Sequence, residues 1–339
     1  MGHAYARLVE RLERMNALRD AAEMLAWDQQ TMMPPGGTPA RAAQMAALGA
    51  TIHDLLASPE TGRLLQEAER EETDPDRVAV LRETRFAYDR ATLVPGDLVQ
   101  ATAAAQAKGF EAWADARRRS DYKAFQPHLA RLLDLRRQYA QHVAPDAPPY
   151  EALFQDYEPW VPLAEARGNL ARLREGLRPL IAKARARDAK APTTFDGDWP
   201  VEKQAELCRR AVAMLGYDFQ RGRLDVSPHP FSAGGAHDAR ITTRYDPSNP
   251  LSALLGAIHE AGHAMYMQGL PTEHAGTPLG EARDLVVHES QSRLWENNVG
   301  RSLPFWRKTL PLVREVFPGT LAHATPEDAW RAASHVEPS

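Results

Sequence analysis

Ile258-His259-Glu260-Ala261-Gly262-His263-Ala264 closes an apolar run that begins at Leu251 and keeps helical spacing. On an α-helix, His259 and His263 project from one face, one turn apart, where two imidazoles can grip one divalent ion. Glu260 points about a third of a turn away from His259, beside such an ion but not aimed at it. A carboxylate belongs there if it is to take a proton from a water that the metal acidifies. Ala261 and Gly262 are small enough to let a second element approach this helix closely. An interior glycine costs roughly 1 kcal/mol against alanine, so a compensating use is expected.

A catalytic zinc site takes three protein ligands and keeps one open position. The third ligand is expected after the loop broken by Gly269, Pro271, Gly276, Pro278 and Gly280. A helix over about 281–299 follows and carries Leu285-Val286-Val287-His288-Glu289-Ser290-Gln291-Ser292. His288 and Glu289 point in different directions on a helix, so only one can reach the metal. Glu289 is the favoured ligand and His288 a neighbouring hydrogen-bond donor, with Glu281, Asp284 and Glu296 as competitors. Upstream, Arg240-Ile241-Thr242-Thr243-Arg244-Tyr245 alternates and is rich in β-branched residues, so it reads as a strand over 240–245. With the turn at Ser232–Ala236 it predicts a small β-ribbon beside the HExxH helix.

The remainder reads as helix. Apolar spacing runs through Leu8, Leu12, Met15, Leu18, Ala22 and Leu25 until Met32-Met33-Pro34-Pro35-Gly36-Gly37 interrupts it. Helices follow over about 60–71, 76–92, 97–119 and 121–142, then 163–187, 201–215 and 304–317, with another start at Thr325-Pro326. Pro145 to Pro162, with Tyr150, Phe154, Tyr157 and Trp160, reads as an extended, aromatic-packed crossover. The fold class expected is mainly α, as one catalytic-type domain with a helical part over 1–145 and a metal-site part over 146–339.

Bulk properties narrow the function. The chain has 339 residues, 43% hydrophobic and 25% charged, with a net charge of −4, so nucleic acid and anionic membrane are not expected partners. The cationic clusters Arg117–Arg119 and Lys183–Arg187 read as solvated helix faces. No apolar run is long enough to span a bilayer. Cys208 is the single cysteine, which excludes an intrachain disulfide. A cytoplasmic location is the resulting expectation.

His229-Pro230-Phe231, Asp238-Ala239-Arg240-Ile241-Thr242, the HExxH at 259–263 and His288-Glu289-Ser290-Gln291 occur in this order. Together they resemble the motifs of the thermostable-carboxypeptidase-Taq family of metallocarboxypeptidases, peptidase family M32 of the gluzincin group. Ala26-Trp27-Asp28 with Met32-Met33-Pro34-Pro35 resembles its N-terminal signature. The resemblance implies a mostly helical homodimer with a deep groove that removes single residues from peptide C-termini with broad specificity. It implies one zinc per chain, with cobalt or manganese also suited to the ligands. His259, His263 and Glu289 would be the ligands and Glu260 the general base. His229, Asp238, Arg240, Thr242 and Gln291 would line the substrate groove, and Arg240 or Arg244 suits the clamp on a terminal carboxylate.

Family members continue past Val336-Glu337-Pro338-Ser339, through an Ile-Arg-x-x-Ala-Asp stretch and a Gly-x-x-Gln-Asp-x-His-Trp stretch tied to substrate binding. A truncated homologue that binds metal without turnover is therefore the alternative expectation.

Overall fold

The computed structural model describes residues 2–186, 194–282 and 284–335. Its helices are α1 (His3–Thr31), α2 (Thr38–Leu56), α3 (Pro59–Glu71), α4 (Pro75–Leu93), α5 (Gly96–Arg119), α6 (Tyr122–Val143) and α7 (Pro149–Tyr157). They continue with α8 (Leu163–Arg185), α9 (Val201–Leu215), α10 (Pro250–Gln268), α11 (Leu285–Arg293), α12 (Leu303–Val316) and α13 (Pro326–Ser334). Three short strands, β1 (Leu224–Val226), β2 (Ser232–Gly234) and β3 (Ala239–Thr243), form one sheet in the order β1-β3-β2. The chain is mainly helical, as its periodicity predicts.

The chain divides into two compact units. The first comprises residues 1–153, 233–239 and 267–283; the second comprises 154–232, 240–266 and 284–339. In the first, Tyr5, Leu8, Leu12 and Met15 of α1 bury against Leu64, Leu65 and Ala68 of α3 and Val80 and Leu81 of α4. Serine and aspartate fix where those helices start: Ser58 Oγ accepts from Thr61 N, and Asp74 Oδ1 accepts from Asp76 N and Arg77 N. The Trp27-Asp28 signature has a structural use. Trp27 is buried, and Asp28 Oδ2 accepts from Arg41 Nη2 of α2 at 2.6 Å.

The second unit is built around α10. Ala253, Leu254, Ala257, Ile258, Ala261 and Ala264 are all at most 2% exposed, so the helix is buried on more than one face. Asn249 caps it, its Oδ1 accepting from Ser252 N. In the same unit an aromatic cluster packs Phe195 and Trp199, in the segment before α9, against Trp306 of α12 and Phe317 at its end. β1 and β3 run parallel, with Leu224 opposite Ile241 and Val226 opposite Thr243.

Four local expectations change. The 145–162 crossover contains α7, because Pro149 fits the first position of a helix and Glu151 to Tyr157 continue it. The strand expected over 240–245 covers Ala239–Thr243, and β1, three residues long, adds a parallel partner that makes a sheet out of the ribbon. The helix expected over 281–299 begins at Leu285 and changes after Arg293 into a π-helical segment, Leu294–Gly300. α8 ends at Arg185 with Ala186 as its cap; Arg187, and the terminal Val336–Ser339, lie outside the described residues.

Candidate metal centre

α10 and α11 bring three ligand atoms together. The donor atoms of His259, His263 and Glu289 all lie within 4.8 Å of one another. Glu289 Oε2 is 3.6 Å from His259 Nε2 and 3.3 Å from His263 Nε2. Ligands at zinc-type bond lengths around a tetrahedral ion stand about 3.4 Å apart, so the spacing suits one shared divalent cation.

The close approach of the two elements is set by Gly262. A Cβ there would lie 2.8 Å from Ser292 Cα and 2.9 Å from the Gln291 carbonyl oxygen, so any side chain would collide with α11 backbone. The small residues between the histidines serve that contact, as the sequence suggests. Asp284 caps α11, accepting from Val287 N, and the buried carboxylate of Glu158 accepts from Val286 N at 2.8 Å. Two of the competing carboxylates are thereby accounted for elsewhere: Asp284 is a cap, and Glu281 pairs with Arg19 in the first unit.

Two of the three side chains, Glu289 and His259, are held by hydrogen bonds with others. Arg293 Nε donates to Glu289 Oε1 at 2.7 Å and Ser292 Oγ donates to Oε2 at 3.0 Å, which leaves Oε2 facing the histidines. His259 Nδ1 donates to Glu296 Oε2 at 2.8 Å, which leaves Nε2 as the free donor atom toward the cluster. Glu296 also accepts from Arg301 Nη2 at 3.0 Å and from Arg293 Nη1 at 3.4 Å. The π-helical segment places it there, and π-turns are frequent at functional sites. Glu296, which the sequence offers only as a competing ligand, is instead the carboxylate behind a ligand. His288 meets the cluster through its ring face, stacked on His263 at 4.3 Å and 20°. His263 Nδ1 is buried without a regular hydrogen bond, although the His288 backbone is near enough to act on its charge.

The charge states follow from these contacts. Burial, then the neighbouring His288 and His259, pushes His263 down to about 4, so it stays neutral and ready to ligate. Burial opposes a charge on His259, but Glu296, Glu260 and Glu289 together raise its pKa. Burial also works against the Glu296 carboxylate, yet hydrogen bonds from His259 and Arg301 hold it at about 2. Glu289 is lowered against burial by Arg293 and Ser292. Glu260 is 7% exposed, and burial drives its pKa up to about 7, with His259 pulling down, Glu289 pushing up and the Ser232 hydroxyl pulling down. The neutral His263, the Nε2 of His259 and the ionised carboxylate oxygen of Glu289 converge, and that donor set fits a divalent cation.

The remaining expected residues differ in their surroundings. Thr242 is fully buried, its hydroxyl 2.7 Å from Ser227 Oγ and accepting from Phe231 N at 2.9 Å. His229 is exposed, with Nδ1 2.7 Å from the Pro230 carbonyl oxygen. Arg240 on β3 is half-buried, and Arg244 is exposed. Gln291 is half-buried and reaches Ser290 Oγ at 3.4 Å. Asp238 belongs to the first unit. Sequence reasoning misses Glu296 as a support and Ser232 as the hydroxyl beside Glu260, since neither stands at a ligand spacing.

Comparison with known proteins gives a consistent result. The family model of carboxypeptidase Taq (M32) metallopeptidases matches residues 7–339. Thermostable carboxypeptidase 1 of Thermus thermophilus is 40% identical, over 99% of this chain and 69% of the relative. Carboxypeptidase 1 of Bacillus subtilis is 30% identical, over 99% of this chain and 68% of the relative. Among solved structures, the M32 carboxypeptidase of Deinococcus radiodurans superposes with a TM-score of 0.86 at 33% identity, covering 98% of this chain and 67% of that one. Metallocarboxypeptidase 1 of Trypanosoma cruzi gives 0.85 at 33% identity, covering 99% and 68%. This chain thus spans about two thirds of the length of each of these relatives.

Proposed function

Because the chain belongs to the carboxypeptidase Taq (M32) family of metallopeptidases, we propose that it releases single C-terminal amino acids from peptides with broad specificity. The observation that carries this reading is the convergence of His259, His263 and Glu289 with Glu260 buried on the same helix. Those three residues would hold the ion; zinc is the first choice and cobalt or manganese also suits the donors. When bound, the ion supplies a Lewis acid that polarises the scissile carbonyl and makes water a nucleophile at neutral pH.

The chain's own residues do the rest. Glu260, with a pKa raised to about 7 by burial, takes the proton of the attacking water and passes it to the leaving amine. Ser232 orients its carboxylate. Glu296 and Arg293 keep His259 and Glu289 in their ligating orientation. Arg240 or Arg244 clamps the terminal carboxylate of the substrate, while β3 itself, flanked by β1 and β2, has no free edge for the peptide. His229 and Gln291 contribute to the groove, and Thr242 shapes it from behind through Ser227 and Phe231. The family resemblance supports a homodimer.

A second reading is a metal-binding homologue without turnover. One experiment separates the two. The purified chain, loaded with zinc, is given an N-blocked dipeptide with and without chelator. Release of the C-terminal residue that stops with chelator and falls at least about 100-fold in Glu260→Gln supports the peptidase. Activity unchanged in Glu260→Gln removes it. One tightly bound metal per chain with no release supports the second reading.

A further inference from the structure

α11 presents one ring to the metal centre that takes no part in the hydrogen bonding around it. His288 precedes Glu289, but the donor atoms that converge belong to His259, His263 and Glu289, and His288 is not among them. Its ring nitrogens bond to no described residue. What His288 offers is its flat face, which lies on the His263 ring with centroids 4.3 Å apart and planes 20° from parallel. The same ring stands 5.7 Å from that of Tyr266, at 60°. His259, His263 and Tyr266 follow one another on α10 at steps of four and three, so they share one face. His259 and His263 meet edge to face at 5.0 Å and 78°. His288, arriving from α11, is laid against the second and third rings of that row.

The three candidate ligands are held in two different ways. Glu289 is fixed by Arg293 and Ser292, and His259 by Glu296. His263 has no such carboxylate: its Nδ1 is buried without a regular hydrogen bond, with the His288 main chain near it. An imidazole without a firm partner on its second nitrogen can turn about its Cβ–Cγ bond, where the torsional wells are broad. A ring packed flat against it removes that freedom, because turning either plane drives an edge into the other face. We infer that His288 is the positioning residue of His263, holding its Nε2 toward Glu289 by stacking rather than through a ring nitrogen. Gly262 makes this possible, since the lack of a Cβ there lets α11 come close enough to lay His288 on the adjoining residue. The inference rests on the reading of His259, His263 and Glu289 as one metal site, and is independent of peptide turnover.

The test is zinc affinity, by competition against a chromogenic chelator, in the full chain and in His288→Ala, His288→Leu and His288→Phe. The alanine and leucine variants lack a planar face and are expected to bind zinc about three- to tenfold more weakly. His288→Phe keeps the face, loses both nitrogens and should bind within about twofold of the parent. Because His288 is half-buried, the larger ring has solvent to extend into. With cobalt in place of zinc, the visible d–d bands shift in His288→Ala and return in His288→Phe, a signature that lost packing alone would not move. Affinity and cobalt spectrum unchanged in His288→Ala overturn the inference. So does a His288→Phe that binds as weakly as His288→Ala, since His288 then acts through a nitrogen. Failure of the metal reading looks different: the parent binds no zinc, or binds it equally well after Glu289→Ala, and the role of His288 falls with it.

Discussion

Glu296 shows how much of the proposed metal site lies behind its candidate ligands. Its Oε2 fixes the protonated nitrogen of His259, while Arg301 and Arg293 hold the carboxylate in place. Replacing such a support typically costs 10–100-fold in metal affinity. Glu296→Ala is accordingly expected to weaken zinc binding by about 10–100-fold, and Glu296→Gln by less, because its amide oxygen can still accept from Nδ1. Competition against a chromogenic chelator measures both; an affinity unchanged in Glu296→Ala would remove Glu296 from the site. At this scale the legibility of the sequence is uneven for a physical reason. His259, Glu260 and His263 can be read directly, because one helical period fixes their relation. Glu296 acts seven residues after Glu289 through a change to π geometry, and no residue pattern announces a π-turn.

Between elements, the contact that assembles the site is backbone against backbone. Gly262 of α10 faces Ser292 and Gln291 of α11, and Gly300, at the end of the π-helical segment, lies close to Leu255 and Ile258 of α10. Gly262→Ala gains about 1 kcal/mol of helix propensity but drives a methyl group into main chain, which costs about 1–3 kcal/mol or more. The expected outcome is a lower melting temperature together with weaker zinc binding, since Glu289 recedes from the histidines. A variant that melts higher and binds normally would show that α11 moves freely. The sequence shows that α10 must be approached by something, because Ala261 and Gly262 are small. It also shows the long helices, whose apolar spacing repeats over many turns. It conceals α7, where five prolines mask nine helical residues, and β1, which is too short to carry an alternation.

For the whole molecule, a metal held at the proposed site would be a stability device as well as a chemical one. An ion held by both α10 and α11 binds the folded chain alone, adding about 2.7 kcal/mol when free metal is a hundred times its dissociation constant. Chelation should therefore lower the melting temperature by about 5–10 °C in a unit of this size. The same treatment should leave Glu289→Ala nearly unmoved. If the two compact units melt separately, only the transition carrying residues 240–266 and 284–335 should shift. Equal chelator shifts in parent and variant would place the metal elsewhere.

Arg301 extends the reach of this site beyond its two helices. The guanidinium that holds Glu296 also donates through Nη1 to the carbonyl of Ala333 on α13, and Ser334 Oγ donates to the Arg301 carbonyl. His259 is thus tied to α13 through two side chains. A nick in that helix, or an antibody that pries it loose, would slacken the tether and tip an imidazole without touching a ligand. Metal occupancy can then serve as a gauge of whether α13 is seated.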